Sequence, residues 1–205
     1  MKDPLWSTVT SVIMLGYCFF LLNSCIGSSE PLYEYTLSPL VRQVEPGQQS
    51  GQRTLMIMPV LVPPWNAGSG IVTRSSANNI STSPTHLWAG TLQDQLTATL
   101  AENIRRLARI KNVLVYPGTR FAKPDLLLEV EFLRFDGDPG DGFTCSAIWT
   151  ISDNRRKITV LRSTFSTTVP VDSDGYSGYV TAASTAISQL SKNINLSLQK
   201  IPRTP

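Results

Sequence analysis

Apolar and polar positions alternate most clearly between residues 125 and 169. Leu126, Leu128, Val130 and Phe132 fall on one face of a strand over 125–135. Phe143, Cys145, Ala147, Trp149 and Ile151 do the same over 142–152, and Leu161, Phe165 and Val169 over 157–169. A period of two marks half-buried strands. Asp136-Gly137-Asp138-Pro139-Gly140-Asp141 and Asp153-Asn154-Arg155 separate them with turn-forming residues, so the pattern predicts an antiparallel meander. Upstream, Tyr33-Glu34-Tyr35-Thr36-Leu37 alternates over a short first strand. Residues 53–62 form an apolar strand buried on both faces, in which Pro59 must mark an edge, a bulge or an end. Ile71–Arg74 and Asn112–Tyr116 complete the strands, and Asn78-Asn79-Ile80 reads as a short turn and strand.

Two stretches switch to helical spacing. Ser83-Pro84 resembles a helix start, and Trp88, Leu92, Leu96, Leu100, Ile104 and Leu107 form one apolar stripe reaching to about Arg109. Arg105, Arg106, Arg109 and Lys111 gather at its end, where the helix dipole favours cations. Asp172, Ser173 or Asp174 caps a second helix carrying Tyr176, Tyr179, Ala183, Ile187, Leu190, Ile194 and Leu198, stopped by Pro202. The order β, β, β, α, β, β, β, β, α implies a single α+β domain: one mixed, mostly antiparallel sheet with two long amphipathic helices packed on it.

The N-terminus has a different character. Residues 9–22 are an apolar run, short for a membrane span and suited to a signal-peptide core. It ends in Leu22-Asn23-Ser24-Cys25, which reads as a lipobox. On this reading residues 1–24 are a lipoprotein signal peptide, Cys25 is the acylated first residue of the mature chain, 25–31 carry the acyl group and a polar spacer, and 32–205 form the folded domain. Asn23 is unusual at its place, and Lys2 is offset by Asp3, so an ordinary signal peptide or N-terminal anchor is the alternative. Tyr17 disfavours Cys18 as a rival site. Ile26 follows the cysteine where an Asp would favour inner-membrane retention, which leans towards the outer membrane. Several acyl chains anchor stably where one is marginal.

Composition narrows the chemistry. With 41% hydrophobic and 16% charged residues among 205, the chain is globular in type, and a net charge of +3 is too diffuse for a nucleic-acid surface. Once Cys18 is removed and Cys25 acylated, Cys145 stands alone and reads as a buried, inert thiol. The single histidine, His86, reads as a helix-cap residue. A hydrolase built from His86 with Ser69 or Cys145 lacks any sign of the third, orienting group, and Gly68-Ser69-Gly70 is not a nucleophile elbow. Asp136, Asp138 and Asp141 depart from a calcium loop at Gly140, Asp141 and Ala147, and a hairpin turn explains them. No catalytic, cofactor-binding or metal-binding constellation emerges, so the chain is expected to bind or assemble.

In order and spacing the chain resembles the PqiC/YmbA-type ABC-type transport auxiliary lipoproteins over roughly residues 30–200. The resemblance rests on Tyr33, Tyr35 and Leu37; on Met58-Pro59-Val60, Val62 and Pro63; on Ile71–Arg74 and Asn79; on Trp88-Ala89 with Leu92; on Leu100-Ala101-Glu102-Asn103; and on Tyr179, Ala183 or Ser184, Ile187, Leu190 and Ser191. Pro64-Trp65-Asn66-Ala67-Gly68-Ser69-Gly70 departs from the family's aromatic-Leu-Asp pattern, and Leu87 stands where a basic residue is common. The resemblance implies a periplasm-facing outer-membrane lipoprotein, without ATPase activity. It would dock an MCE-domain (PqiB-like) protein and its ABC-type permease in moving lipids or other hydrophobic molecules between the membranes, with a homo-oligomeric ring as one arrangement the resemblance implies. Within segment 59–74, Pro63, Trp65, Ile71 and Arg74 are the candidate partner-binding residues. Trp65 can equally be a core aromatic, and Arg74 a structural residue pairing with a helix-end carbonyl or an acidic side chain. A structural lipoprotein of a secretion or pilus-assembly machine is the alternative.

Overall fold

The computed structural model describes residues 30–40, 53–107, 110, 112–117, 123–172 and 175–202. The chain divides into two compact units, residues 1–31 and Leu32–Pro205. Cys25 and the rest of the lipobox lie outside the described residues.

The second unit is α+β. Its elements are β1 (Tyr33–Tyr35), β2 (Thr54–Ile57), a single 3-10 turn (Pro64–Asn66), β3 (Gly70–Ser76) and β4 (Asn79–Trp88), then α1 (Leu92–Leu107), β5 (Asn112–Val115), β6 (Leu126–Asp138), β7 (Gly142–Asp153), β8 (Ile158–Pro170) and α2 (Gly175–Lys200). The strands form two sheets, where the hydrophobic pattern implied one: a three-stranded sheet in the order β1-β4-β3 and a five-stranded sheet in the order β5-β2-β6-β7-β8. The expected meander is present, with β6, β7 and β8 antiparallel neighbours. β2 lies between β5 and β6, parallel to both, and Leu55 and Ile57 are fully buried. Pro59 marks the end of β2. The chain rejoins β6 at Leu61, whose N–H donates to the Val130 carbonyl at 2.9 Å.

Burial follows the pleat. Leu126, Leu128, Val130 and Phe132 of β6, and Phe143 to Ile151 at every second position of β7, turn to one side and form the core with both helices. α2 packs across β7 and β8, and α1 against β5 and α2. Between the helices, the Asn103 amide donates to the Ser191 hydroxyl, which donates to the Ile187 carbonyl.

The start of α1 differs from the sequence expectation. Ser83, Pro84, His86 and Trp88 belong to β4, and the helix begins only at Leu92. Ser83 does accept backbone N–H groups, from Thr85 and His86, which is the local bonding that made it resemble an N-cap. It does so inside a strand irregularity: Val72 pairs with Thr82 and Gly70 with Leu87, so the intervening residues of β4 bulge out. A bulge tolerates a proline that lacks an N–H. Thr91 is the true cap. Its hydroxyl accepts the Asp94 N–H at 3.1 Å and donates to the Asp94 carboxylate at 2.7 Å. Replacing Thr91 with Ala is expected to destabilise the chain by about 1 kcal/mol. A thermal melt checks this, and Thr91→Ser should retain most of the stability.

A braced tryptophan loop as the candidate docking site

After Leu61 the chain runs beside β6 and turns away through two prolines. Pro63 is buried and extended (φ −56°, ψ 145°), and Pro64 opens the 3-10 turn with its fixed φ. The Pro63 carbonyl accepts the Asn66 N–H at 2.9 Å, and the Asn66 side chain, itself buried, donates to the Phe135 carbonyl of β6 at 3.2 Å. The far end is fixed where the Ser69 carbonyl accepts the Trp88 N–H at 2.7 Å. There Gly70 lies so close to β4 that a Cβ would sit 2.6 Å from the Ser83 carbonyl oxygen. A loop of small and polar residues is thus stitched to both sheets.

Trp65 stands out of this loop with 41% of its surface exposed. Beneath it, the Arg74 guanidinium carbon lies 5.9 Å from the ring centroid, a contact worth about 0.5–1 kcal/mol at a site of this exposure. Arg74 is itself fixed. Its Nε and Nη2 donate to the two oxygens of Asp136 at 2.8 and 2.9 Å, and its Nη1 donates to the Ala77 carbonyl at 2.9 Å. Arg134 donates a further bond to Asp136 at 2.8 Å. Asp136 is fully buried. Burial pushes its carboxyl up, but the hydrogen bonds and charges of Arg74 and Arg134 outweigh that and hold it below the ordinary aspartate value. The same pairing raises Arg74.

The four residues singled out by sequence therefore separate into two roles. Trp65 alone presents a large side chain to solvent. Pro63 is buried under the turn, Ile71 is wholly in the core, and Arg74 is locked on Asp136 as the structural alternative anticipated. Direct surface contact by Ile71 is corrected by its burial: it supports the loop from inside. Asp136, read from sequence as part of a hairpin turn, is the anchor. The turn itself is shorter, spanning Pro139–Asp141, because β6 continues through Asp138.

Two exposed apolar side chains are not among the residues singled out from the sequence. Leu61 is 62% exposed and bridges to Glu131; Leu133 is 45% exposed on the same stretch of β6. A bulge between Phe132 and Arg134 resets the alternation there, so that Phe132 and Phe135, three apart, both point inward while Leu133 points out. Leu61, bridged to Glu131, and Leu133 are thus exposed apolar side chains beside one stretch of β6, and Pro64 and Trp65 are exposed on the loop that follows Leu61. The arrangement offers a rigid aromatic, apolar contacts and a cation, which is the composition of an interface centre.

Elsewhere the chemistry is structural. His86 is stacked between Tyr176 (3.9 Å) and Tyr33 (5.0 Å), and its Nδ1 shares a hydrogen bond with the Tyr35 hydroxyl at 2.8 Å. It is a strand residue joining β1 to α2, and the helix-cap expectation is corrected accordingly. Cys145 is buried in β7, and burial pushes its thiol up to about 12, the opposite of what a nucleophile needs. Among the described residues no three His, Cys, Asp or Glu side chains gather as a metal site, and no helix is long and apolar enough to cross a membrane.

Comparison with known proteins agrees with this architecture. No curated protein matches the sequence. A crystal structure of an uncharacterized protein is similar with a TM-score of 0.68 at 23% identity, covering 82% of this chain and 99% of its own. Protein XCC0632 from Xanthomonas campestris, of family DUF330, is similar with a TM-score of 0.69 at 16% identity, covering 81% and 94%. At these identities the likeness is one of fold. The model of the ABC-type transport auxiliary lipoprotein component matches residues 35–195, from β1 into the last turns of α2, and the chain belongs to that family.

Proposed function

We propose that this chain is the lipid-anchored docking subunit of an MCE-type ABC transport system. On this reading Cys25 carries the acyl anchor in the outer membrane, and residues 32–205 face the periplasm. The domain binds an MCE-domain (PqiB-like) protein, and through it the permease, while lipids or other hydrophobic molecules cross between the membranes. Self-assembly of several copies, as a ring, belongs to the same reading. The role is one of binding, without catalysis.

The observation that carries the proposal is the braced Trp65. A tryptophan left exposed on a loop that is fixed at both ends binds with little loss of conformational freedom. Pro63, Ile71 and Arg74 serve it from behind, and Leu61 and Leu133 add exposed apolar side chains beside β6. A photo-crosslinking residue placed at position 65 in envelope membranes should capture an MCE-domain protein; its absence from the adducts would sink the idea. Trp65→Ala should cost about 1–2 kcal/mol of stability, from the contact with Arg74 and the covered part of the ring, and leave the domain folded. It should weaken partner binding by about 2 kcal/mol or more, roughly 30-fold, as removal of a central aromatic does. Undiminished co-purification of the partner would place docking elsewhere on the domain.

A further inference from the structure

Among the described residues the five-stranded sheet ends at β8, a long edge with no strand paired beyond it. β8 runs for 13 residues, against four for β5 at the opposite edge. Soluble proteins usually blunt such an edge with lysine, proline, inward charge or shortness. β8 carries a single charged side chain, Arg162, and its one proline, Pro170, is its last residue. Its burial alternates along the strand: Leu161, Ser163, Phe165 and Thr167 are half-buried on the helix side, and the residues between them are exposed. Leu161 and Phe165 pack against the core from its rim.

We infer that β8 pairs with β8 of a second copy, antiparallel about a two-fold axis at Thr164, joining two five-stranded sheets into one. The strand is complementary to itself in that register. On the helix side Phe165 lies opposite Ser163 of the other copy and diagonal to its Leu161 and Phe165. The four half-covered apolar side chains then close over one another and carry the core across the edge. On the other side Thr164 meets Thr164, a favourable cross-strand pair, and Arg162 meets Ser166, so like charges are never opposed. A second copy supplies a strand of matching length, which β5 does not. The inference rests only on self-assembly, in the form of a two-fold pair; such a pair closes at two copies, and a ring would need a second, head-to-tail surface. It does not depend on the transport partner.

A residue on a two-fold axis meets itself, and this gives a sharp test in envelope membranes holding the full chain. Thr164→Cys, treated with a Cu(II) oxidant, should give a disulfide-linked species of twice the mass. Arg162→Cys and Ser166→Cys should cross-link weakly alone and strongly when combined in one chain. The parent chain, with Cys145 buried, is the control. Thr164→Lys puts two ammonium groups opposite each other and should weaken pairing at least 10-fold, read as sedimentation of the detergent-extracted chain. No linked pair from Thr164→Cys, equal linking at all three positions, adducts to a different protein, or an assembly unchanged by Thr164→Lys would each overturn the inference. Loss of the MCE-domain adduct at position 65 with the β8 cross-link intact would instead count against docking alone.

Discussion

Asp136→Ala should destabilise the domain by about 3–5 kcal/mol, lowering Tm by roughly 6–20 °C. The carboxylate is fully buried and holds Arg74, which is only 14% exposed, through two hydrogen bonds. Removing it leaves the Arg74 cation without its partner and short of water, the most expensive way to break a buried pair. Arg134 matters less: at 40% exposure it can turn to solvent. Asp136→Asn should fall between the parent and Ala, because one oxygen can still accept from Arg74. The double variant Arg74→Met with Asp136→Leu should recover much of the loss, since replacing a buried pair by apolar groups of similar volume is often neutral. Thermal melts of the set check the argument. A loss below about 1 kcal/mol for Asp136→Ala would show that the pair is solvated in solution.

The same residue sets a pH dependence. Its folded-state carboxyl titrates below the ordinary aspartate value. Its contribution is therefore fully present above the unfolded value of about 3.9 and is lost as pH falls through the folded one. Acid unfolding below about pH 4 should accordingly be steeper in the parent chain than in the Arg74→Met, Asp136→Leu variant.

The meander and the two helical stripes were legible because each has one buried face. A period of two or of 3.6 is what such burial writes into a sequence. The first helix start was misread for a related reason. Ser83-Pro84 bonds locally as a cap does, but in a strand bulge whose existence depends on β3, far from any local pattern. The split into two sheets was equally invisible, since it depends on which strands pair. At the site, Trp65 stood out by its position between prolines and glycines. The Arg74–Asp136 pair spans 62 residues, and no local spacing encodes it. Strict alternation already places Leu133 outward; what the bulge hid is Phe135, which turns inward three residues after Phe132.

Tyr179 joins the loop's supports to the second helix, and its hydroxyl can be tested apart from its ring. It lies on α2, fully buried, edge-on to Phe143 at 5.0 Å. Its hydroxyl donates to the Val72 carbonyl of β3 at 2.7 Å and accepts the Gly137 N–H of β6 at 2.8 Å. Burial raises the phenol above its ordinary value, so the proton stays on the oxygen and the bond to Val72 persists across the working pH range. Gly137 must remain bare for β6 to approach, since a Cβ there would lie 2.0 Å from the Gly142 carbonyl oxygen. Tyr179→Phe keeps the ring and leaves both backbone groups without a partner. The expected loss is about 1–3 kcal/mol. Tyr179→Ala adds a cavity and should lose about 3–5 kcal/mol or more. Hydrogen exchange separates the two effects: Tyr179→Phe should speed exchange at the Gly137 amide while amides of the β7 centre stay protected. Full protection of Gly137 in that variant would mean that another group takes over the bond. Because Gly137 follows Asp136 directly, the same variant should also loosen Arg74 and blunt partner capture at position 65 without altering Trp65 itself.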